Sequence, residues 1–477
     1  MERKKPSYKT SVLVIGVSLL VMVIGVAILK LSAEILLCLI ALFAAIAAMR
    51  LGYTWRELED AISDKMRDTI PTLLIIWIIG MVIGSFMFSG SIPMVIYYGL
   101  KWISPQWVIL SAFITCIIFS TVTGSSWSSA GTAGVAFMGV AQGLGIPLNI
   151  TAGAVISGSI FGDKLSPLSE TTNLAPLCAG ANLYDHIKSM LWTTLPSTII
   201  AAIVYIFVGR NYNIATNELP ETTIAIMNSL DNMFEWNILL LIPFIIILIG
   251  AITKKPPVPS LFISVISALV IGVAYQGFPL TEGFKSALNG FNTSMIYQGE
   301  LPESVLTLLN RGGMKSMVSV ITIVFCGYAF ASIISKAGFL ETALEPITSK
   351  IKTSTHLILS TLATVLLIFL ATGNAYVAFI LVGEMYKEKY SKMDIAPMVL
   401  SRSLEDVGTT LGSLIPWSSS AAFYGATLGV SMFGAQGYAP WSFISYLSPI
   451  FAVICAITGK GVYRLDKEEK IAMNRGK

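Results

Sequence analysis

The stretch GDKLSPLSETTNLAP, residues 162–176, places two acids, a lysine, two prolines and several hydroxyl side chains between apolar segments. A charged side chain costs about 2.5–3.5 kcal/mol at the centre of a membrane helix, so charged residues inside a span are functional candidates. Pro167 and Pro176 lack a backbone donor and interrupt a helix. Irregular backbone at membrane depth persists only where it is buried in protein or lines water. The stretch therefore predicts a broken membrane helix around an internal polar site.

The rest of the chain has the composition of an integral membrane protein. Of its 477 residues, 55% are hydrophobic and 12% are charged, whereas soluble domains carry about 25% charged residues. Several apolar runs approach or exceed the roughly 20 residues that cross a bilayer, and a β-barrel would instead show short alternating strands. We therefore predict an all-α polytopic membrane protein whose first apolar run is a retained span and not a signal peptide.

The apolar runs fall into two sets with the same order of elements. Each set has two spans, an amphipathic segment (residues 55–70 or 280–291), a third span, a hairpin, an interrupted span and a closing span. The hairpins, predicted to enter the membrane and return to the same side, cover residues 104–142 and 354–392. The first set of spans is 11–29, 31–49, 70–89, 149–182 (interrupted) and 190–209, and the second is 236–253, 257–275, 316–335, 394–430 (interrupted) and 441–459.

Five crossings are an odd number, so this order predicts two inverted repeats, a feature of secondary transporters. The predicted units are a first repeat (1–210), an extracellular linker (211–235), a second repeat (236–460) and a cytoplasmic basic tail (461–477). With the N-terminus inside, the segments predicted to be cytoplasmic hold 23 of the 31 Lys and Arg residues. Positive charge concentrates on the cytoplasmic side of membrane proteins. The distribution therefore favours a prokaryotic plasma membrane protein with both termini in the cytoplasm.

The two predicted hairpins share a Thr-Gly pair that breaks an apolar run. Glycine and clustered hydroxyl groups free backbone carbonyls and supply hard oxygen ligands for a small cation, although small residues also line close helix contacts in membranes. One such break would be weak evidence, and two at equivalent places are stronger. The candidate site residues at the tips are Thr123, Gly124, Ser125 and Ser126 in the first hairpin and Thr372, Gly373 and Asn374 in the second.

The first interrupted span contributes Asp163 as the principal candidate for binding the coupling ion. Asp163 and Lys164 are adjacent, and adjacent residues do not face each other on a helix, so mutual pairing is not expected. Glu170 is equally well explained as an acid in the first turn of a helix, where the helix dipole favours it. The remaining candidates of this span are Lys164, Ser169, Thr171, Thr172 and Asn173.

The second interrupted span, LSRSLEDVGTTLGSLIPWSSSAAF, repeats the combination of acids, a glycine break, paired threonines and a proline before hydroxyls. Arg402 lies within a turn of its acids and is positioned to hold one of them. Asp163 and Asp406 are predicted to converge at the midplane, and the predicted Na+ ligands are Asp163, Asp406, Asn173 and Asn374. The candidate residues of this span are Glu405, Asp406, Gly408, Thr409 and Thr410.

No enzyme signature accompanies these features. The sequence has no Walker A, nucleophile-elbow or HExxH motif, its five cysteines lack metal or redox spacing, and its only histidines are His186 and His356. We therefore expect no enzymatic activity, no cofactor and no nucleic-acid partner. The expected partners are the lipid bilayer, Na+ and protons, with small organic acids as a further possibility.

Residues 162–176 together with SRSLEDVGTTLGSLIPW resemble the NhaC family of bacterial sodium/proton antiporters over nearly the whole chain. The resemblance implies roles for Asp163, Ser169, Thr171, Thr172 and Asn173 in the first motif and for Glu405, Asp406, Gly408 and Thr409 in the second. Glu170 stands where the family usually has Asp, and Ser418–Ser420 stand where Asn-Thr-Cys is often found. The resemblance also implies an elevator-type transport domain that moves past a dimerising scaffold, and hence a homodimer.

Two transport functions remain open from the sequence. The first is export of Na+ in exchange for protons, with Asp163 holding either a proton or a cation. The second is exchange of organic acids such as malate and lactate, coupled to Na+ and protons, for which Lys164, Asn374 and the Thr-Thr-Asn run could bind a carboxylate. A channel would need a continuous pore, which broken helices with buried acids do not favour.

Overall fold

The structure is a computed structural model that describes residues 5–29, 31–212, 221–253, 255–349 and 351–465. Residues 213–220 of the predicted linker and most of the predicted basic tail lie outside the described residues. Within them the chain is helical, and one isolated β-bridge joins Ile395 to Arg464.

The α-helices of the described residues extend from Tyr8 to Thr458. In the first half they are α1 (Tyr8–Met22), α2 (Ala33–Arg50), α3 (Trp55–Phe88), α4 (Ser91–Trp102), α5 (Val108–Thr123), α6 (Ser126–Ser129), α7 (Val135–Gly143), α8 (Leu148–Leu165), α9 (Glu170–Ala179), α10 (Leu183–Arg210) and α11 (Glu221–Met233). In the second half they are α12 (Ile242–Ile252), α13 (Pro257–Ala274), α14 (Leu280–Asn289), α15 (Glu303–Leu309), α16 (Val318–Lys336), α17 (Phe339–Ser349), α18 (Ser354–Thr372), α19 (Ala375–Lys392), α20 (Pro397–Gly408), α21 (Ser419–Leu428) and α22 (Phe443–Thr458).

Eight helices of the described residues are long and apolar enough to cross a membrane. A ninth span is possible if Thr223–Met233 and Ile238–Ile252, which are bent by 102° at their junction, count as one. Large apolar side chains such as Leu13, Leu39, Ile263 and Ile266 are exposed on α1, α2 and α13, where lipid rather than water would cover them. The structure confirms the predicted class, an all-α polytopic membrane protein.

Three predicted elements, one amphipathic segment and the two hairpins, differ from the structure. The amphipathic segment 55–70 is not a separate surface helix, because it runs without a break into the following span as α3. A capping box between Thr54 and Glu57 starts this helix, and Pro71 does not end it. In addition, Pro105–Thr123 and Ser354–Thr372, predicted as first arms of re-entrant hairpins, are 19 residues long, which is also enough for a full crossing.

The interior is organised around α8 and α20. Residues Val399–Gly408 of α20 are all buried, as is most of α8. Glycines on α8 allow α5 to approach closely: an added Cβ at Gly158 would lie 2.3 Å from the carbonyl oxygen of Phe113, and one at Gly162 would lie 2.4 Å from that of Ser120. The Ser120 hydroxyl donates to the Gly158 carbonyl oxygen at 3.1 Å and accepts from the Gly162 N–H at 3.1 Å. This contact fixes the C-terminal end of α5 beside Asp163.

Candidate functional site

The first Thr-Gly break is a sharp helix end. α5 ends at Thr123, Gly124 is left-handed (φ 65°), and α6 begins after Ser125, whose hydroxyl accepts from the Ser128 N–H at 3.2 Å. The Thr123 hydroxyl donates to the Phe119 carbonyl oxygen at 2.8 Å. Glycine is required here twice over, because the left-handed conformation disfavours a side chain and an added Cβ would lie 2.6 Å from Leu168.

The second Thr-Gly break has the same local geometry. α18 ends at Thr372, Gly373 is left-handed (φ 65°), and Asn374 caps α19 by accepting from the N–H groups of Tyr376 at 2.8 Å and Val377 at 3.4 Å. The Thr372 hydroxyl donates to the Ile368 carbonyl oxygen at 2.7 Å, four residues back, as Thr123 does. Because the Asn374 amide oxygen caps the helix, its amide nitrogen is left buried, without a hydrogen-bond partner among the described residues.

Asp163 lies at the C-terminal end of α8, directly against the first break. One carboxylate oxygen, Oδ1, accepts from the Ser126 N–H at 3.0 Å and from the Ser169 hydroxyl at 3.4 Å. The Asp163 carbonyl oxygen accepts from the hydroxyls of Thr171, at 3.0 Å, and Thr172. Residues from both sides of the helix interruption therefore converge on this single aspartate.

A cavity of about 130 Å³ connects Asp163 with parts of both halves of the chain. It lies between the two helix breaks and the two interrupted spans. Ten of the residues predicted from the sequence line it: Thr123, Gly124, Ser125, Ser126, Asp163, Ser169, Thr171, Asn374, Gly408 and Thr409. Among them the Thr409 hydroxyl is buried and has no hydrogen-bond partner in the described residues, so it is free to bind an occupant.

The cavity also contains residues that sequence reasoning did not select. Glu170 lines it and accepts a hydrogen bond from the Tyr376 hydroxyl at 2.9 Å, which joins α9 to the start of α19. Tyr328 and Tyr424 line it as well. The position of Tyr376 just after a break could have indicated it, whereas Tyr328 lies inside a continuous apolar span and carries no such signal.

The charge of the cavity is negative. Two carboxylates, Asp163 and Glu170, line it, and no Lys, Arg or His does so among the described residues. Hydroxyl and carboxylate oxygens are the ligands that hard cations prefer, so this donor set fits a small cation. The described residues contain no group of three or more His, Cys, Asp or Glu that could hold a transition metal.

Asp406 does not line this cavity and is instead part of a buried ion pair. Its Oδ1 lies 2.7 Å from the Lys164 ammonium and accepts from the hydroxyls of Thr193 at 2.7 Å and Ser448 at 2.9 Å. Arg402 Nε lies 3.8 Å from Oδ2. The predicted convergence of Asp163 and Asp406 on one site is therefore not the arrangement found, and Lys164 faces Asp406 rather than the cavity.

Glu405 lies next to this pair and contacts a histidine. Its Oε2 is 2.9 Å from His186 Nε2, and His186 Nδ1 is 2.8 Å from the Ser401 hydroxyl. All three side chains are fully buried. His186, which is not among the site residues predicted from the sequence, lies in the first turn of α10, and α10 packs on α20.

The other predicted residues have structural contacts outside the cavity. The Asn173 amide donates to the carbonyl oxygens of Pro167 at 2.9 Å and Ser169 at 2.7 Å, which closes the turn between α8 and α9. The Thr410 hydroxyl donates to the Asp406 carbonyl oxygen. Neither residue lines the cavity, and the same holds for Lys164, Thr172, Thr372, Gly373 and Glu405.

Comparison with known proteins gives matches over most of the chain. The profile of the Na+/H+ antiporter family matches residues 6–172 and 158–460. An uncharacterized Na+/H+ antiporter of Haemophilus influenzae is 41% identical, over 94% of this chain and 96% of its own length. The Na+/H+ antiporter NhaC of Alkalihalophilus pseudofirmus is 35% identical over 99% and 100%, and the malate-2H+/Na+-lactate antiporter of Bacillus subtilis is 32% identical over 96% of each.

Proposed function

The chain belongs to the Na+/H+ antiporter family, and from this premise we propose that it exports Na+ in exchange for protons by alternating access. The protein is a multi-pass membrane transporter and not an enzyme. The observation that carries the proposal is the acidic lining of the cavity between the helix breaks. Two carboxylates and several hydroxyls line it, and no basic side chain of the described residues does.

Asp163 is the residue at which the two ions compete. A carboxylate held away from bulk water is stabilised either by a proton or by a cation, so binding of one ion releases the other. The Ser126 N–H and the Ser169 hydroxyl fix the Asp163 Oδ1 atom, and the unpartnered Thr409 hydroxyl offers a ligand from the second half of the chain. An ion in the cavity would thus contact both halves at once.

The moving part consists, in this proposal, of the helices that carry the breaks. In the first half α8 packs on α5 and on α9. In the second half α18, α19 and α20 pack on one another, and α9 also packs on α19 and α20. These contacts support a joint transport domain that moves as an elevator against the remaining helices. We further propose that the halves are inverted repeats, that the protein is a homodimer, and that it lies in a prokaryotic plasma membrane with both termini cytoplasmic.

The direct test is Na+ flux driven by a pH gradient in liposomes containing the purified protein. Asp163→Asn should abolish this flux, because the amide cannot exchange a proton for a cation. Asp60→Asn, which changes an exposed carboxylate on α3, is the matched control and should leave the flux unchanged. Retention of pH-gradient-driven Na+ flux by Asp163→Asn would refute the proposal.

A second candidate function is exchange of organic acids coupled to Na+ and protons. Its support is the 32% identical relative named as a malate-2H+/Na+-lactate antiporter. Lys164, the basic group that such a substrate would need, is engaged with Asp406 outside the cavity, which favours the cation exchanger. Na+-dependent uptake of labelled malate or lactate into the same liposomes would decide for the second candidate.

A further inference from the structure

A second cavity lies apart from the one that contains Asp163. It has a volume of about 580 Å³, which is in the range of binding sites for small molecules. The loop after α14, the loop before α16 and the C-terminal end of α21 enclose it. The N-terminal part of α21 contributes Ser419, Ser420 and Tyr424 to the first cavity, so the two cavities lie along the same helix.

The second cavity is basic, in contrast to the first. Arg311 lines it, and no Asp or Glu does so among the described residues. Within the described part of the chain this guanidinium donates one hydrogen bond, to the Thr307 carbonyl oxygen at 3.2 Å, and no carboxylate there lies within ion-pair distance of it. Burial lowers the pKa of Arg311, because its charge is partly removed from water without a compensating anion.

Two asparagines add hydrogen-bond donors to the lining. The Asn310 amide oxygen accepts from the Thr293 N–H at 2.7 Å, and the Asn292 amide oxygen accepts from the Ser294 N–H at 3.0 Å. A backbone N–H can only donate, so each contact assigns the oxygen and leaves the NH₂ group to donate elsewhere. Asn292 and Asn310 both line the cavity, so their NH₂ groups are available there as donors.

Thr427 gives an independent indication that the cavity binds something. Its side chain is 4% exposed, it lines the cavity, and its hydroxyl has no hydrogen-bond partner in the described residues. A buried polar group without a partner costs about 1–3 kcal/mol, and an occupant that accepts a hydrogen bond would remove this cost.

The loop that carries Arg311 is held in place before any ligand binds. The Arg311 carbonyl oxygen accepts from the Phe291 N–H at 3.1 Å, and the Gly313 N–H donates to the Gly80 carbonyl oxygen on α3 at 2.7 Å. These contacts fix the donors without closing the cavity, and such preorganisation lowers the entropic cost of binding.

We propose that this cavity is a binding site for a small carboxylate, held by the Arg311 guanidinium together with the amide groups of Asn292 and Asn310 and the hydroxyl of Thr427. The planar guanidinium matches the two oxygens of a carboxylate in a forked arrangement, which a spherical anion cannot use. The site is separate from the cavity in which Asp163 exchanges ions.

Calorimetric titration of the purified protein tests the proposal. Sodium lactate or sodium malate replaces sodium chloride at constant Na+ concentration, so that occupancy of the cation site does not change. Arg311→Gln should weaken carboxylate binding about tenfold or more, since it removes a charged hydrogen-bonding partner. Thr427→Val should weaken it by a smaller factor of about threefold.

Two matched variants locate the site and control for unfolding. Arg210→Gln removes an arginine that lies 5.4 Å from the Phe207 ring and outside the cavity, and it should bind lactate as the unaltered protein does. Asp163→Asn should also retain lactate binding, even where Na+ flux is lost. The proposal is overturned if the unaltered protein binds neither carboxylate, if Arg311→Gln binds them equally well while keeping its Na+/H+ exchange, or if phosphate or chloride binds more tightly.

Discussion

Asp163 and Glu170 both line the cavity, but their surroundings differ. Asp163 is partly buried and accepts hydrogen bonds from Ser126 and Ser169. Glu170 is exposed, begins α9 and accepts from the Tyr376 hydroxyl. Charges in contact with water are screened. Replacing the acid by its amide should therefore affect ion binding less at Glu170 than at Asp163.

Glu170→Gln should therefore weaken Na+ binding without abolishing exchange. We expect the Na+ concentration at half-maximal flux to rise about two- to tenfold, which corresponds to roughly 0.4–1.4 kcal/mol for a screened charge. Tyr376→Phe removes the hydroxyl that donates to Glu170 and serves as the companion variant, with a smaller rise. Complete loss of exchange in Glu170→Gln would show that this acid, rather than Asp163 alone, carries the coupled proton.

Comparison of single and double substitutions should show how much the Lys164–Asp406 ion pair contributes to the free energy of unfolding. Both side chains are fully buried, with the ammonium 2.7 Å from the carboxylate. Removing one partner of a buried pair costs about 3–5 kcal/mol, because the other charge is left uncompensated, whereas replacing both by apolar residues is often nearly neutral. Asp406→Leu should thus lower the free energy of unfolding in mixed micelles far more than Lys164→Met combined with Asp406→Leu, because the single variant leaves both Lys164 and Arg402 without the carboxylate they face and the double variant leaves only Arg402.

The matched control for this pair is on the surface. Lys285 lies 2.7 Å from Glu282, and its side chain is 58% exposed. Lys285→Met should change the free energy of unfolding by no more than about 1 kcal/mol. If Asp406→Leu is as mild as Lys285→Met, the buried pair does not stabilise the fold.

At the scale of elements, the two helix breaks determine the shape of the cavity. Gly124 and Gly373 have the same φ of 65°, but an added Cβ would meet Leu168 at 2.6 Å at the first break and the Trp417 carbonyl oxygen at 2.9 Å at the second. Gly145, with φ of 68°, has nothing within 4 Å of an added Cβ. Alanine substitutions at these three glycines therefore distinguish the cost of backbone strain from the cost of steric overlap.

Gly145→Ala should lower the free energy of unfolding by about 1–2 kcal/mol, the strain of a left-handed residue with a side chain. Alanine at Gly124 should cost a further 1–3 kcal/mol for the overlap with Leu168, and alanine at Gly373 should lie between the two. Thermal unfolding of the three purified variants measures this order. Equal melting temperatures for the alanine variants at Gly124 and Gly145 would show that the overlap with Leu168 does not destabilise the protein.

These elements also show which structural features can be predicted from the sequence and which cannot. The Thr-Gly pairs and the polar run at 162–176 are local features, so the helix ends at Thr123 and Thr372 and the interruption after Asp163 could be predicted. The partners of Lys164 and Glu405 could not, because Asp406 and His186 are 242 and 219 residues away along the chain. Tyr328 enters the cavity from a continuous apolar helix, and an apolar pattern does not indicate which of its faces meets a cavity.

At the scale of the molecule, the polar contacts in the interior join the two halves. Lys164 on α8 contacts Asp406 on α20, His186 on α10 contacts Glu405, and Tyr205 on α10 donates to the Trp441 carbonyl oxygen at 2.7 Å. The cavity likewise takes residues from both halves. In the proposed exchange, an ion bound there would contact both halves and so favour the conformation in which those contacts form.

If the halves are inverted, their corresponding amphipathic helical segments must lie on opposite sides of the membrane. Arg56 at the start of α3 and Lys285 on α14 are both exposed and occupy the corresponding segments. In a variant whose five cysteines are replaced, a single Arg56→Cys should react with a membrane-impermeant maleimide only after the cells are opened. A single Lys285→Cys should react in intact cells, because the basic-residue distribution predicts its segment to be outside. If both cysteines react from the same side, the two halves are not inverted. α8 and α20 would then not be equivalent helices of an inverted repeat.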